Sequence, residues 1–233
     1  MKCINCSKTL SDNESKNKRA KTALIIPAYN EEGRISAVLK AAYDAKYINE
    51  IIVVDDGSSD NTSKEASQFE KIKLITLPNN MGKAAAMKKG AESTDAEVIL
   101  FLDADLVGMD GEKIDAIIEP VINGKSEVSI GIFKGGRNIT DLAQIIAPYI
   151  SGQRAIKRDI FLSIPNLDYA RSGVESAITK YCKAKGHVIE RVVLYGCTHW
   201  MKEEKRGRLR GFICRLIMYF EIIKVLLDDG IIR

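Results

Sequence analysis

Asp103-Ala104-Asp105 stands at the end of Val98-Ile-Leu-Phe-Leu102, an apolar run of the kind that builds a buried strand. Two carboxylates one residue apart, where a strand gives way to a loop, can share a hard divalent cation. Oxygen ligands of this type suit Mg2+ or Mn2+, and such an ion acts as a Lewis acid on a diphosphate leaving group. Carboxylates directly after a buried strand are costly unless paired or metal-bound, which argues against a merely solvated turn. A second acidic cluster, Asp55-Asp56-Gly57-Ser58-Ser59-Asp60, follows Ile51-Ile-Val-Val54. Its side chains can accept hydrogen bonds from a base or ribose, and Ser58 or Asp60 can also cap the next helix. Lys83 follows Gly82 at a helix start, where its ammonium and the helix dipole both favour phosphate. Neither GxGxxG nor GxxxxGK[ST] follows any of these strands, which disfavours a dinucleotide dehydrogenase or a P-loop enzyme.

These groups need a frame, and hydrophobic periodicity supplies one. Strands are expected at Ala23–Ile26 (stopped by Pro27), Ile51–Val54, Lys73–Leu77 and Glu97–Leu102. Between them lie helices at Glu31–Ala45, with Ile35, Val38, Leu39 and Ala42 on one face, in the stretch ending at Ala66, and at Ala84–Ala91. Strand–helix alternation of this kind predicts an α/β fold with a doubly wound, mostly parallel sheet. Ligands of such sheets sit outside the carboxyl ends of the strands, and that is where every polar cluster above falls. Farther along, helices are expected at Ile114–Ile122, Leu142–Tyr149, Val174–Lys185 (capped by Ser172, closed by Gly186) and roughly Leu209–Leu227. Strands are expected at Glu127–Phe133 and Val188–Leu194, with a loop at Gly135-Gly136-Arg137. Without repeats or a Pro/Gly-rich linker, residues 22–233 read as one domain behind a flexible polar tail, 1–21.

Composition narrows the classes. At 233 residues and 45% apolar content the chain can bury a sizeable core, and sparse aromatics make that core aliphatic. A formal net charge of +4 is far from that of a dedicated nucleic-acid binder, so no nucleic-acid partner is expected. Five scattered cysteines form no disulfide framework and point to a reduced cytoplasmic protein. Cys3-Ile-Asn-Cys6 is half of a zinc knuckle, but no second pair follows to complete a tetrahedral site. No signal peptide opens the chain, and no apolar run reaches the ~18–20 residues of a spanning helix.

The order of motifs is recognisable. Ile26-Pro-Ala-Tyr-Asn-Glu-Glu32, Val54-Asp-Asp-Gly-Ser-Ser-Asp60, Asn80-Met-Gly-Lys83 and Asp103-Ala-Asp105 together resemble the nucleotide-sugar half of family 2-like glycosyltransferases with the GT-A (Rossmann-like) fold. The resemblance runs from about Thr22 to Val107, the donor half, leaving 108–233 as the acceptor half with its C-terminal helix. It implies that Pro27, Ala28, Asn30 and Glu31 line the nucleoside pocket, that Asp55 and Asp56 contact base or ribose, and that Lys83 faces phosphate. Asp103 and Ala104 belong to the same donor site, and Asp105 chiefly holds the metal.

In the second half, Ser151-Gly-Gln-Arg-Ala155, Ser172-Gly-Val-Glu175 and Thr198-His199 resemble the acceptor half of glucosyl-3-phosphoglycerate synthases and their relatives. By that resemblance Glu175 faces the acceptor hydroxyl, His199 completes a metal site with Asp103 and Asp105, and the Gly152 loop meets the acceptor. Arg154 and Lys157 depart from those enzymes, and as extra cations they suit an anionic acceptor. A carboxylate beside the acceptor can orient or deprotonate it, and Glu175 could serve an inverting or a retaining scheme.

The expectation is thus a metal-dependent hexosyltransferase using a UDP- or GDP-linked sugar and an anionic acceptor such as a phosphorylated small acid. The rivals are transfer to a polyprenyl phosphate at the membrane surface, a sugar nucleotidyltransferase without its usual glycine-rich loop, and a non-catalytic nucleotide-sugar binder. Lys202-Glu-Glu-Lys-Arg-Gly-Arg-Leu-Arg210, before an apolar final segment, admits either peripheral contact with the inner face of a membrane or a core-packing or homodimer-forming helix. Arg206, Arg208 and Arg210 could add to phosphate binding.

Overall fold

The computed structural model describes residues 20–134, 151–167, 170 and 173–200. Within them the expected alternation is present. Strands β1 (Thr22–Ala28), β2 (Glu50–Asp55), β3 (Ile72–Thr76) and β4 (Val98–Phe101) alternate with helices α1 (Ile35–Tyr43), α2 (Thr62–Ala66) and α3 (Lys83–Glu92). The second half contributes β5 (Leu106–Val107), α4 (Gly111–Ile122), β6 (Val128–Lys134), β7 (Arg154–Lys157), α5 (Arg158–Leu162), α6 (Val174–Ala184), β8 (Ile189–Tyr195) and β9 (Thr198–His199).

Seven strands form one sheet in the order β3-β2-β1-β4-β7-β6-β8, and β5 pairs with β9 in a small ribbon. All neighbours in the large sheet are parallel except β7, which runs antiparallel to both β4 and β6. Side chains alternate across the strands. Ala23 and Ile25 of β1 join a core with Ala84 and Met87 of α3, Phe161 of α5 and Ile178 of α6. Leu24 and Ile26 face the other way, onto Val38 and Leu39 of α1 and Ile114 and Ile118 of α4. A sheet covered on both faces explains why its central strands are apolar at every position rather than at alternate ones.

Two boundaries differ from expectation for definable reasons. β1 continues through Pro27, which pairs with Val54 of β2. The carbonyl of Ala28 accepts from Asp56 N–H on the β2 side, and that of Ile25 accepts from Leu102 N–H on the β4 side. Alternation therefore turns the missing N–H of Pro27 toward β4, whose pairing with β1 has ended at Phe101. Helix α1 starts at Ile35, not Glu31, because Asn30 (φ 56°) and Gly33 (φ 75°) hold left-handed conformations that a helix cannot contain. The expected helices at Leu142–Tyr149 and Leu209–Leu227, the loop Gly135–Arg137, the cap Ser172, most of the 1–21 tail with Cys3 and Cys6, and the basic run 202–210 lie outside the described residues. Among the described residues no helix is long and apolar enough to cross a membrane.

Candidate active site

The strand order reverses at β1, with β2 and β3 to one side and β4 to the other. The carboxyl ends of these strands make the crevice where such folds place ligands. On the β2 side the acidic cluster organises loops. Asp55, almost fully buried, accepts from the backbone N–H of Ser58 at 3.0 Å and its hydroxyl at 2.5 Å, and from the Ser63 hydroxyl. Asp56 accepts from the backbone N–H groups of Met81 (2.7 Å) and Gly82 (2.9 Å) and so fixes the turn that launches α3. Gly57 lies so close to this turn that a Cβ on it would stand 2.5 Å from the Asn79 carbonyl carbon. Asn30 is tied to the same loop: its N–H donates to Ser58 Oγ (2.9 Å) and its side-chain oxygen accepts from Ser59 N–H (2.8 Å). Glu31 donates its N–H to Thr62 Oγ1 (2.8 Å) and pairs with Arg34 at 2.6 Å. Ala28 is buried beneath this rim and Pro27 is half-buried. Asn30 and Asp55 thus meet through Ser58, Glu31 reaches Thr62 at the start of α2, and Asp56 holds the turn before α3.

Lys83 opens α3 and carries the network across to the second half. Its ammonium donates to Asp103 Oδ1 at 2.5 Å and to Glu175 Oε1 in the first turn of α6. Asp103 Oδ2 accepts from the Gln153 amide at 2.8 Å. Burial pulls the Lys83 pKa down, but the charges of Asp103 and Glu175 outweigh it and hold the ammonium well above the ordinary lysine value. Burial likewise raises Asp103, yet Lys83 first and His199 next bring its carboxyl below the usual range.

Asp105 lies two residues on, after the buried Ala104, and its Oδ1 is 3.2 Å from His199 Nδ1. The β5–β9 ribbon brings these residues together: Leu106 pairs with His199, and Trp200 N–H donates to Asp105 O at 3.2 Å. Gly108 (φ 76°) is required in the turn beside it, since a Cβ there would fall 2.3 Å from Gly196 O. Phe133 supports the imidazole, ring centroids 5.1 Å apart. One ligand atom from each of Asp103, Asp105 and His199 lies within 4.8 Å of the other two. Two carboxylates and an imidazole at that spacing fit a Mg2+- or Mn2+-sized ion. Burial alone would lower the His199 pKa. The hydrogen bond with Asp105 and the charges of Asp103 and Asp105 raise it above the ordinary value.

The acceptor-side expectations divide. Gly152 sits against Asp103: extending the β4–β7 register from Phe101↔Arg154 puts residue 152 opposite residue 103, and a Cβ on Gly152 would be 2.4 Å from Asp103 Oδ2. Arg154 lies inside the fold. It is fully buried, and its guanidinium donates to the carbonyls of Ser151 (2.6 Å) and Glu175 (2.9 Å), binding β7 to α6. Lys157 is not brought to the cluster. It pairs in register with Val98, at the opposite end of β4, and faces Glu127 at 3.6 Å. Gln153 received no role from the sequence although it touches Asp103 directly. Only the antiparallel pairing of β7 with β4 brings the two together, and nothing in the spacing of 103 and 153 signals that contact.

The sequence matches the profile of Glycosyl transferase family 2 over residues 23–176. Among curated proteins, dolichyl-phosphate beta-glucosyltransferase of Mus musculus is 38% identical over 98 residues, covering 36% of this chain and 30% of that one. Poly-beta-1,6-N-acetyl-D-glucosamine synthase of Staphylococcus epidermidis is 32% identical over 131 residues, 53% of this chain and 30% of that one. The chain therefore spans about 30% of the length of these relatives. Among solved structures, glucosyl-3-phosphoglycerate synthase of Mycobacterium tuberculosis in complex with phosphoglyceric acid superposes with a TM-score of 0.73 at 22% identity. That superposition covers 97% of this chain and 88% of that one. The same enzyme with Mn2+, uridine diphosphate and phosphoglyceric acid gives 0.71 at 23% identity, covering 91% and 81%. Those likenesses show the shared fold, and the family match over residues 23–176 shows the family: the chain belongs to glycosyl transferase family 2.

Proposed function

We propose that this family 2 domain is a metal-dependent hexosyltransferase that takes its sugar from a UDP- or GDP-linked donor and delivers it to an anionic acceptor such as a phosphorylated small acid. The observation that carries the reading is the convergence of Asp103, Asp105 and His199 with Lys83 and Glu175 at the carboxyl ends of β1, β2 and β4. Residues 22–233 act as one catalytic domain, with 22–107 binding the donor and 108–233 the acceptor.

Each residue has a role in this scheme. Pro27, Ala28, Asn30 and Glu31 line the nucleoside end, and the loops ordered by Asp55 and Asp56 shape it. Asp105 and His199, with Asp103 beside them, would hold Mg2+ or Mn2+, which when bound supplies Lewis-acid stabilisation of the departing diphosphate. Lys83 contributes a fixed positive charge to the same side, and preorganised charge of this kind is commonly the largest catalytic contribution. Glu175 orients or deprotonates the acceptor hydroxyl. Gly152 and its loop border the acceptor space. The bound UDP, Mn2+ and phosphoglyceric acid of the structurally similar enzyme support this combination of ligands.

A second reading is favoured by the dolichyl-phosphate beta-glucosyltransferases among the relatives: the acceptor is a polyprenyl phosphate at a membrane surface. The basic stretch 202–210 and the apolar segment after it suit peripheral contact with an anionic bilayer. The test begins with UDP and GDP binding, with and without Mn2+ or Mg2+, on wild type and Asp105→Ala. Metal-dependent binding abolished in the variant is expected, and no binding of either nucleotide under any metal condition overturns the reading. Glucosyl transfer to 3-phosphoglycerate or to a short polyprenyl phosphate then separates the two acceptors, and vesicle co-sedimentation that depends on residues 202–227 favours the second.

A further inference from the structure

Asp103 is held on three sides. Lys83 binds Oδ1 at 2.5 Å, the Gln153 amide binds Oδ2 at 2.8 Å, and the backbone at Gly152 presses against the carboxylate so closely that no Cβ fits. Gln153 is itself fully buried. A carboxylate only accepts hydrogen bonds, so Gln153 must turn its NH2 toward Asp103 and its carbonyl away. The Ser151 hydroxyl lies 2.8 Å from that carbonyl oxygen and 2.5 Å from Gly131 O, on the far side of the side chain. Gly131 leaves the room: a Cβ there would be 3.3 Å from Gln153 Cβ and 2.8 Å from Leu194 Cδ1. A buried, singly oriented amide aimed at one oxygen of a candidate metal ligand is more than the β-sheet requires, since an apolar side chain would fill the same volume without desolvating an amide.

We propose that Gln153 is a positioning residue for the metal centre, fixing the Asp103 carboxylate through Oδ2 so that it faces Asp105 and His199. The inference rests on the metal-dependent reading above and deepens it. Without the amide, Asp103 is still tethered by Lys83 on one oxygen but is free to turn about that contact. His199 Nδ1 is 3.9 Å from the same Oδ2, so rotation of the carboxylate changes the distance between two of the three ligand groups. Groups that orient metal ligands without touching the metal commonly contribute about ten- to a hundredfold in affinity.

The test measures Mn2+ binding, by electron paramagnetic resonance of the free ion, to wild type, Gln153→Met and Ser151→Ala, with metal-free melting temperatures taken in parallel. Gln153→Met keeps the length and volume of the side chain and removes its donor. The expected result is Mn2+ affinity weakened about ten- to a hundredfold with a melting temperature close to wild type. Ser151→Ala, which leaves Asp103 and Gln153 in place, should show a smaller loss in the same direction. Mn2+ affinity unchanged within twofold in Gln153→Met overturns the proposal, as does a loss that merely tracks melting temperature across both variants. Should Gln153→Met fail to fold, unchanged Mn2+ affinity in Ser151→Ala overturns it. Absence of Mn2+ binding by wild type would instead sink the metal-dependent reading, so the two failures are distinguishable.

Discussion

Gly152→Ala is the smallest change that reaches the centre of this site. The new Cβ would stand 2.4 Å from Asp103 Oδ2 and 2.7 Å from Oδ1. Ordinary carbon–oxygen contact begins near 3.4 Å, so the carboxylate must retreat by about 1 Å, or β7 must peel from β4 by as much. Retreat by that distance stretches the 2.8 Å bond from Gln153 beyond hydrogen-bonding range and distorts the 2.5 Å pair with Lys83. A charge-assisted hydrogen bond is worth roughly 1.5–3 kcal/mol, and overpacking a tight site costs about 1–3 kcal/mol. Partial relaxation keeps the total near ~2–4 kcal/mol, a fall in melting temperature of about 4–16 °C for a domain of this size. The functional effect should be larger. A displacement of ~1 Å in a catalytic constellation can reduce turnover about a hundredfold, so donor-sugar hydrolysis or transfer should fall by that order while the circular dichroism spectrum stays native. The assays are thermal unfolding, Mn2+ titration and UDP-sugar turnover on the same preparation. A Gly152→Ala protein with wild-type melting temperature and Mn2+ affinity would refute the idea that Gly152 is required by its approach to Asp103.

Three further outcomes follow from the same geometry. Lys83→Met leaves the buried Glu175 and the half-buried Asp103 without their shared cation, which should cost up to roughly 3–5 kcal/mol in thermal or urea unfolding. Asp103 is held below its ordinary pKa, so its contribution to stability is present above the unfolded value near 3.8 and is lost as pH falls through the lower folded value. Without Lys83 that contribution is absent, so wild type loses on acidification what the variant never had and the deficit of the variant should narrow as pH falls; a deficit independent of pH would contradict the pairing. His199 has a raised folded pKa, so in the metal-free protein its proton adds stability fully present below 6.5 and lost as pH rises through the raised value. Because Mn2+ takes the neutral imidazole, its affinity should climb with pH through that same range and flatten in His199→Asn; an equal slope in the variant would exclude His199 as a ligand. Gly57→Ala forces a side chain into φ 71° and against the Asn79 backbone at 2.5 Å, so unfolding free energy should drop by about 2–4 kcal/mol, and an unchanged urea midpoint would show that the turn is not built this way.

The first half of the chain was the legible part. Apolar runs ending at Asp55 and Asp103, and helical spacing at Ile35, Val38, Leu39 and Ala42, carry local information, because a parallel sheet buried on both faces writes its strands as continuous apolar segments. The left-handed residues Asn30 and Gly33 shortened α1 in a way that periodicity does not register. The second half was less legible. β7 is four residues with a cation at each end, and Arg154 reads as a surface or ligand-binding group until the fold encloses it between Ser151, Glu175 and Thr179.

The candidate groups could therefore be picked out along the chain: the paired aspartates, Lys83 at its helix start, Glu175 opening α6 and His199 near the end of the described region. Which of them touch could not. The Lys83–Glu175 pair spans 92 positions and the Asp105–His199 pair 94. Contacts across such separations depend on strand order, on the register of β4 against β7 and of β5 against β9, and on glycines that let backbones approach. Side-chain type and local period are properties of neighbours in sequence. The distances that join a carboxylate to its cation, its amide and its imidazole are properties of packing, and here only the tertiary structure decided them.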